Sequence, residues 1–520
     1  MIRFHFAGFL AFASLLVACL LGVTSTQAAT VHVAQGDVSG QSQGVVTAYL
    51  GLPYAAPPTG ALRWQPPKPP ANWTSTRDAT HFAVNCQQNL TGGLGPWTAE
   101  YEPHGAVSED CLYLNVWAPA KTDKPLPVMV WIHGGAFTGG SGSVAIYNGA
   151  ALAAEGVIVV TINYRVGIYG FLAHPELGEG SGTYGLLDQI AALQWVHNNI
   201  AAFGGDPSHV TVAGQSAGAA SVHDLLASPR AKGLFQQAIA ESGSGLNPPP
   251  GDMATAQALG VAVMAAAGAQ SLDDLRKLTP AELDATAAKA KAGGQHVSFA
   301  PSIDGVVLPD ADAVSREDAS DVPILTGMTA NEDSFASYYF PDTLTVETYT
   351  DAVHKAYGDQ ADTVLKLYPA GDTSHASRDA LARDSELASM TVWAQKRLSR
   401  SHTSVFAYLW THPEPGPTAA KYGAFHSSEI PYVFRTLDAA NRPFTADDHT
   451  LSQMISRYWL NFIKTGDPNG DGLPHWPAVD SANPQINMID VTTQAQPVLP
   501  AEKLDLFKRH LANGGKAGRP

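Results

Sequence analysis

The rhythm of hydrophobic and polar positions changes along the chain. From residue 31 to 65, short apolar stretches alternate with Gly and Pro, as in VVTAYLGLPYAAPP, which predicts short strands broken by turns. Further on, 126–133 (LPVMVWIH) and 157–163 (VIVVTIN) are unbroken apolar runs. Runs of that kind fit parallel strands covered on both faces. Helical spacing follows over Leu186–Ala202, then a strand over His209–Gly214, a helix over Ala217–Ala227 and a strand over Gln236–Glu241. Two more strands are expected at 322–327 and 404–410, and an amphipathic helix at Leu451–Lys464. This alternation predicts an α/β fold: a central, mostly parallel twisted sheet with helices on both faces.

Between about 246 and 300 the text turns Ala-rich and helical. Thr279 is placed as an N-cap, Pro280 at the first helical position and Glu282 as the acid of a capping box. The stretch reads as a helical insertion between sheet strands, of the kind that covers the mouth of a site. Length alone suggests about three domains for 520 residues. No repeat or low-complexity linker divides the chain, so residues 29–520 are expected to form one domain.

The N-terminus follows a different logic. Arg3, an apolar run from Phe6 to Val23 and then small polar residues make an export signal over residues 1–28, with cleavage after Ala28. Two alternatives stay open. Leu16-Val17-Ala18-Cys19 resembles a bacterial lipobox, which would leave Cys19 as a lipid anchor, and the apolar run is nearly long enough to stay uncleaved in a membrane. No later run is long and apolar enough to span a bilayer, so a soluble secreted or periplasmic body is expected. Outside the signal only Cys86 and Cys111 remain. Export predicts that they pair, with two free buried thiols as the alternative.

Charge narrows the partners. With 31 Lys+Arg against 47 Asp+Glu, a formal charge of −16 and no basic run, the chain lacks what nucleic acid or an anionic membrane surface requires. A hydrophobic content of 45% is enough for a large buried core. Charge excludes those two partners and goes no further.

Gly-x-Ser-x-Gly occurs twice. Gly40-Gln41-Ser42-Gln43-Gly44 lies in strand-like text with no helix after it and is expected to be a hairpin turn. Gly214-Gln215-Ser216-Ala217-Gly218 follows a predicted strand and opens a predicted helix. That context is what a nucleophilic serine needs, because a sharp strand-to-helix turn exposes its hydroxyl and small neighbours let the chain pass. Upstream, His133-Gly134-Gly135-Ala136-Phe137 leaves a strand as a Gly-rich loop. Its N–H groups at Gly134 and Gly135, with that of Ala217, are the candidate oxyanion hole. His133 itself is expected to be structural.

At this point the chain resembles the type B carboxylesterases, which include carboxylesterases, cholinesterases and bile-salt-activated lipases within the α/β-hydrolase fold. The resemblance runs from about residue 30 to 510 and rests on stretches such as SEDCLYLNVW, HGGAF, NYRVG, VTVAGQSAGA, ESGS and GAFHSSEIPYVF. It implies a serine carboxylesterase with no metal or organic cofactor, in which the acid is Glu332 and the base His426. Asp333 stands where the family usually has Gly, so a second carboxylate competes with Glu332. The resemblance further implies that Ser242 and Glu429 support the triad, that Arg63–Glu109 and Arg165–Asp188 are structural ion pairs, and that Cys86 and Cys111 form a disulfide. Gln215 stands where cholinesterases carry a glutamate, so no special preference for choline esters is expected. A non-catalytic binding or adhesion member is the alternative, but such chains normally lack the serine or the histidine.

Three other patterns are set aside. The stretch Asp467–Gly472 opens like a calcium loop, but its twelfth position is Ala478 rather than Glu. Gly140-Ser141-Gly142 imitates a dinucleotide fingerprint without the ribose-binding acid after the next strand. Neither a P-loop nor a His/Glu zinc motif is present.

Overall fold

The computed structural model describes residues 29–520 except 91, 94, 247–248, 293–297, 318 and 337–343. The expected export signal and Cys19 therefore lie outside the described residues. Nine strands make the body of the sheet: β1 (Val46–Pro53), β2 (Tyr113–Pro119), β3 (Leu126–Ile132), β4 (Ile158–Ile162), β5 (Gly205–Gln215), β6 (Gln237–Glu241), β7 (Ile324–Thr329), β8 (Val405–Trp410) and β9 (Gln485–Ile489). Their spatial order is β1-β2-β4-β3-β5-β6-β7-β8-β9. From β4 to β9 every pairing is parallel, while β1 and β2 join antiparallel at one edge.

The unbroken apolar strands are explained by cover on both faces. Along β3, Val128, Val130 and Ile132 enter one core cluster while Met129 and Trp131 enter the other. This is the period-two alternation of a strand with no solvent side. On the first face lie α1 (Tyr184–Asn199) and α2 (Ala217–Ala227). The second face is covered by a long amphipathic helix, Ala446–Thr465, through Leu451, Ile455, Trp459 and Ile463.

The predicted helix at 186–202 divides. Its α-helical part ends at Asn199 and a 3-10 turn continues over Ile200–Phe203, closed by Gly204 at φ 82°. The stretch 246–300 carries helices α3 (Met253–Ala267), α4 (Leu272–Lys277) and α5 (Pro280–Ala292). The Thr279–Glu282 capping box closes reciprocally: Thr279 N donates to Glu282 at 2.8 Å and Glu282 N to the Thr279 hydroxyl at 3.3 Å. The first Gly-x-Ser-x-Gly differs in detail from a simple turn, since Gly40–Gln43 lie within a strand and only Gly44, at φ 69°, enters the hairpin.

Cys86 and Cys111 form a disulfide. Arg63 grips Glu109 at 2.5 and 2.7 Å, and Arg165 grips Asp188 at 2.7 and 2.8 Å with both side chains buried. Among the described residues no helix is long and apolar enough to cross a membrane.

Candidate active site

The site lies at the carboxyl ends of the parallel strands, where β5 turns into α2. Ser216 sits on that turn at φ 58°, ψ −121°, its N–H donating to Glu241 O at 2.9 Å. A non-Gly residue held there is strained, and strain of this kind persists only where the surroundings impose it. The flanking glycines explain how the turn closes. A Cβ on Gly214 would come within 2.6 Å of the Gly218 backbone, and one on Gly218 would strike the Ile132 carbonyl. The motif is therefore a packing requirement as much as a signature.

The Gly134–Gly135 loop lies directly against this turn. A Cβ on Gly134 would approach the Gln215 carbonyl to 2.9 Å and Ser216 Cβ to 3.1 Å, while Gly135 adopts φ +107°. Gln88 clamps the far end of the loop, donating to Gly140 O and accepting from Gly140 N, each at 2.8 Å. Ala217 opens α2, where the first N–H groups of a helix have no partner within it. His133 is stacked on Tyr164 at 4.4 Å and bonded to the Gly134 carbonyl at 2.8 Å. Burial pushes its pKa down to about 4, so it is a neutral scaffold group.

Glu332 and His426 meet across the ends of β7 and β8. His426 Nδ1 is hydrogen-bonded to Glu332 Oε2. The other carboxylate oxygen accepts from Ser242 Oγ at 2.6 Å and from Thr329 N at 2.7 Å. Burial acts to raise the Glu332 pKa, but His426 and these donors outweigh it and hold it below the usual range. Burial likewise acts to lower the His426 pKa, and the Glu332 charge and hydrogen bond, with Glu429 and Asp333 beyond, raise it above the ordinary histidine value.

Asp333 points elsewhere, towards Arg519 at 3.8 Å, and burial raises its pKa. Glu429 is fully buried and accepts from Tyr408 OH at 3.1 Å. Burial pushes its pKa well above the usual range, and its hydrogen-bond partner is Tyr408, not His426. Gln215 reaches the opposite ring nitrogen, its Nε2 2.9 Å from His426 Nε2.

Three positioning contacts had no sequence signal. Trp97 Nε1 donates to His426 O at 3.1 Å and to Ser427 Oγ at 2.9 Å, fixing the histidine loop from a remote segment. Asn331 ties that loop to the acid: its N–H donates to Ala424 O and its Oδ1 accepts from Ala424 N, both at 3.0 Å. Gln88 is the third.

A strained serine, a histidine bound to a buried carboxylate and a Gly loop against the serine are the parts of an acyl-transfer site. The model of the Carboxylesterase family matches residues 27–507. The chain belongs to the carboxylesterase family. It is 38% identical to a fumonisin B1 esterase of Sphingopyxis macrogoltabida over 86% of this chain and 84% of that one. It is 37% identical to the para-nitrobenzyl esterase of Bacillus subtilis (strain 168), over 88% and 93% respectively, and 35% to a human cocaine esterase, over 91% and 89%. Among solved structures a PNB esterase superposes with a TM-score of 0.79 at 35% identity, covering 92% of this chain and 99% of that chain. The fold is thus the α/β-hydrolase fold, and this family member is a carboxylic ester hydrolase.

From Ser216 a cleft of about 480 Å³ opens between α2 and the loops beyond it. Ala136 and Phe137 line it on the oxyanion-loop side. Its walls include both ends of the 246–300 stretch, at Pro249–Gly251 and at Ala300 and Pro301, and no residue of α3–α5.

Proposed function

We propose that this chain is an exported serine carboxylesterase, one domain over residues 29–520, that hydrolyses neutral or broad-range carboxylic esters through Ser216, His426 and Glu332. The observation that supports the reading is the Glu332–His426 pair beside the strained Ser216 turn. Glu332 holds Nδ1 of His426, which leaves Nε2 facing the Gln215–Ser216 turn as the basic nitrogen.

In the first step His426 takes the Ser216 proton while the hydroxyl oxygen attacks the ester carbonyl. The N–H groups of Gly134, Gly135 and Ala217 receive the tetrahedral oxyanion; losing one such donor typically costs on the order of 100-fold or more in rate. His426 then returns its proton to the leaving alcohol. Water, activated by the same imidazole, frees the acid from the acyl-enzyme. Glu332 keeps the ring in the required tautomer and stabilises its charged form. Every proton and electron pair is handled by the chain itself, with no cofactor.

Export is supported by the signal-like first 28 residues and by the Cys86–Cys111 bond, which an oxidising compartment sustains. Breadth is supported by relatives named for chemically unlike esters. Wild-type protein should hydrolyse p-nitrophenyl butyrate, and Ser216→Ala should not. Inactivity of the wild type across a broad ester panel would contradict the proposal.

A further inference from the structure

The cleft that starts at Ser216 does not end in an apolar wall. It follows one face of α2, on which Ala217, Ala220 and Asp224 recur at helical spacing. At 1.5 Å per residue, Asp224 lies roughly 12 Å along the helix axis from the nucleophile, and its side chain leans back towards Ser216, which shortens the reach to about 10 Å. Asp224 is 4% exposed and lines the cleft. No hydrogen bond or ion pair among the described residues holds its carboxyl group, whose oxygens open to the cleft.

The other polar groups at that end pair with one another, with Arg397 Nε left over. Glu317, capping helix α6 (Ala311–Arg316), accepts from His223 Nδ1 at 2.7 Å, from Trp393 Nε1 at 3.0 Å and from Arg397 Nη1 at 2.6 Å. His223 Nε2 is paired with Ser244 Oγ at 2.9 Å, and Arg397 Nη2 donates to Val322 O at 2.9 Å. The cation of this cluster is thus committed to Glu317, and Asp224 is left over. A side chain this deeply set, whose carboxyl meets nothing but the cleft, is placed to receive a ligand group. Burial, with the Glu317 charge added, pushes the Asp224 carboxyl well above the usual range. A cation beside it would relieve both effects, and the proton would pass to solvent. Trp393, on helix α7 (Ser374–Leu398), lines the same wall, and an indole face attracts a cation through its quadrupole.

We propose that Asp224 and Trp393 form a recognition site for a protonated amine of the substrate, favouring esters whose ammonium group lies about 10 Å from the reacting carbonyl. This rests on the ester-hydrolase reading and adds which esters are selected. It leaves the absence of choline preference intact, since the ammonium of a choline ester lies too near the carbonyl to reach Asp224.

The test compares p-nitrophenyl ω-aminooctanoate with p-nitrophenyl nonanoate, which has methyl in place of ammonium. Wild type should favour the amino ester by about tenfold or more in kcat/KM, the size expected of a charge-assisted contact. Asp224→Asn should bring the ratio close to one, and the short β-alanyl ester should show no preference in either protein. Calorimetric binding of octylammonium against octanol asks the same question without turnover, and the same tenfold preference, lost in Asp224→Asn, is expected. Equal affinity for the two, or a preference that survives in Asp224→Asn, overturns the site. If octylammonium is preferred and neither ester is cleaved, the hydrolase reading fails and the amine site stands. If both esters are cleaved without preference, the amine site fails and the hydrolase reading stands.

Discussion

Gln215 Nε2 lies 2.9 Å from His426 Nε2, the ring nitrogen that accepts the serine proton in the proposed mechanism. With Glu332 on Nδ1, the Gln215 amide lies beside Nε2. The residue before the nucleophile therefore touches the base directly, besides bordering the substrate. In Gln215→Glu a carboxylate would sit against the imidazole and favour its charged form. Because catalysis needs the neutral ring, the acidic limb of the kcat/KM profile should move to higher pH, by about one unit or more. Acetylcholine turnover should rise relative to a neutral ester of similar size, from no preference in the wild type. A wild type that strongly prefers acetylcholine would contradict the role given to Gln215.

The two adjacent carboxylates should differ sharply. Glu332→Gln removes the partner of His426 Nδ1, and by analogy with triads generally kcat should fall on the order of 10⁴-fold. The acidic limb should also move to lower pH, because the carboxylate that raises the His426 pKa has gone. Asp333→Ala should cost less than about tenfold, since Asp333 faces Arg519. Kinetics of the two variants on p-nitrophenyl butyrate check both; equal losses would count against Glu332.

The disulfide acts on stability. Its sequence separation of 25 residues corresponds to about 3 kcal/mol in the chain-entropy model. The variant carrying Cys86→Ser and Cys111→Ser should unfold at lower urea concentration, with kcat/KM retained at low temperature because Gln88 still clamps the Gly loop. An unchanged unfolding midpoint would show that the bond does not stabilise the fold.

The strand–turn–helix around Ser216 was legible because a short Val-rich strand, two obligatory glycines and a helical repeat fall in consecutive residues. The Gly134–Gly135 loop was legible for the same local reason. Choosing Glu332 over Asp333 was beyond pattern alone and came from family resemblance; in the structure the 3-10 turn over Glu332–Phe335 sends one carboxylate to His426 and its neighbour to Arg519. Trp97, 329 residues from His426 in sequence, and the Asn331 clamp on Ala424 leave no trace in periodicity. Both matter only once the fold has brought distant loops together. Asp224 gave one faint sign, an acid within the apolar text of α2, but its lack of a partner is a property of packing.

The most direct measurement is stoichiometric labelling with an organophosphate, followed by peptide mapping and residual activity on p-nitrophenyl butyrate. One equivalent should attach at Ser216, activity should fall in proportion, and Ser216→Ala should take up no label. Labelling at another residue, or esterase activity that persists in Ser216→Ala, would contradict the mechanism.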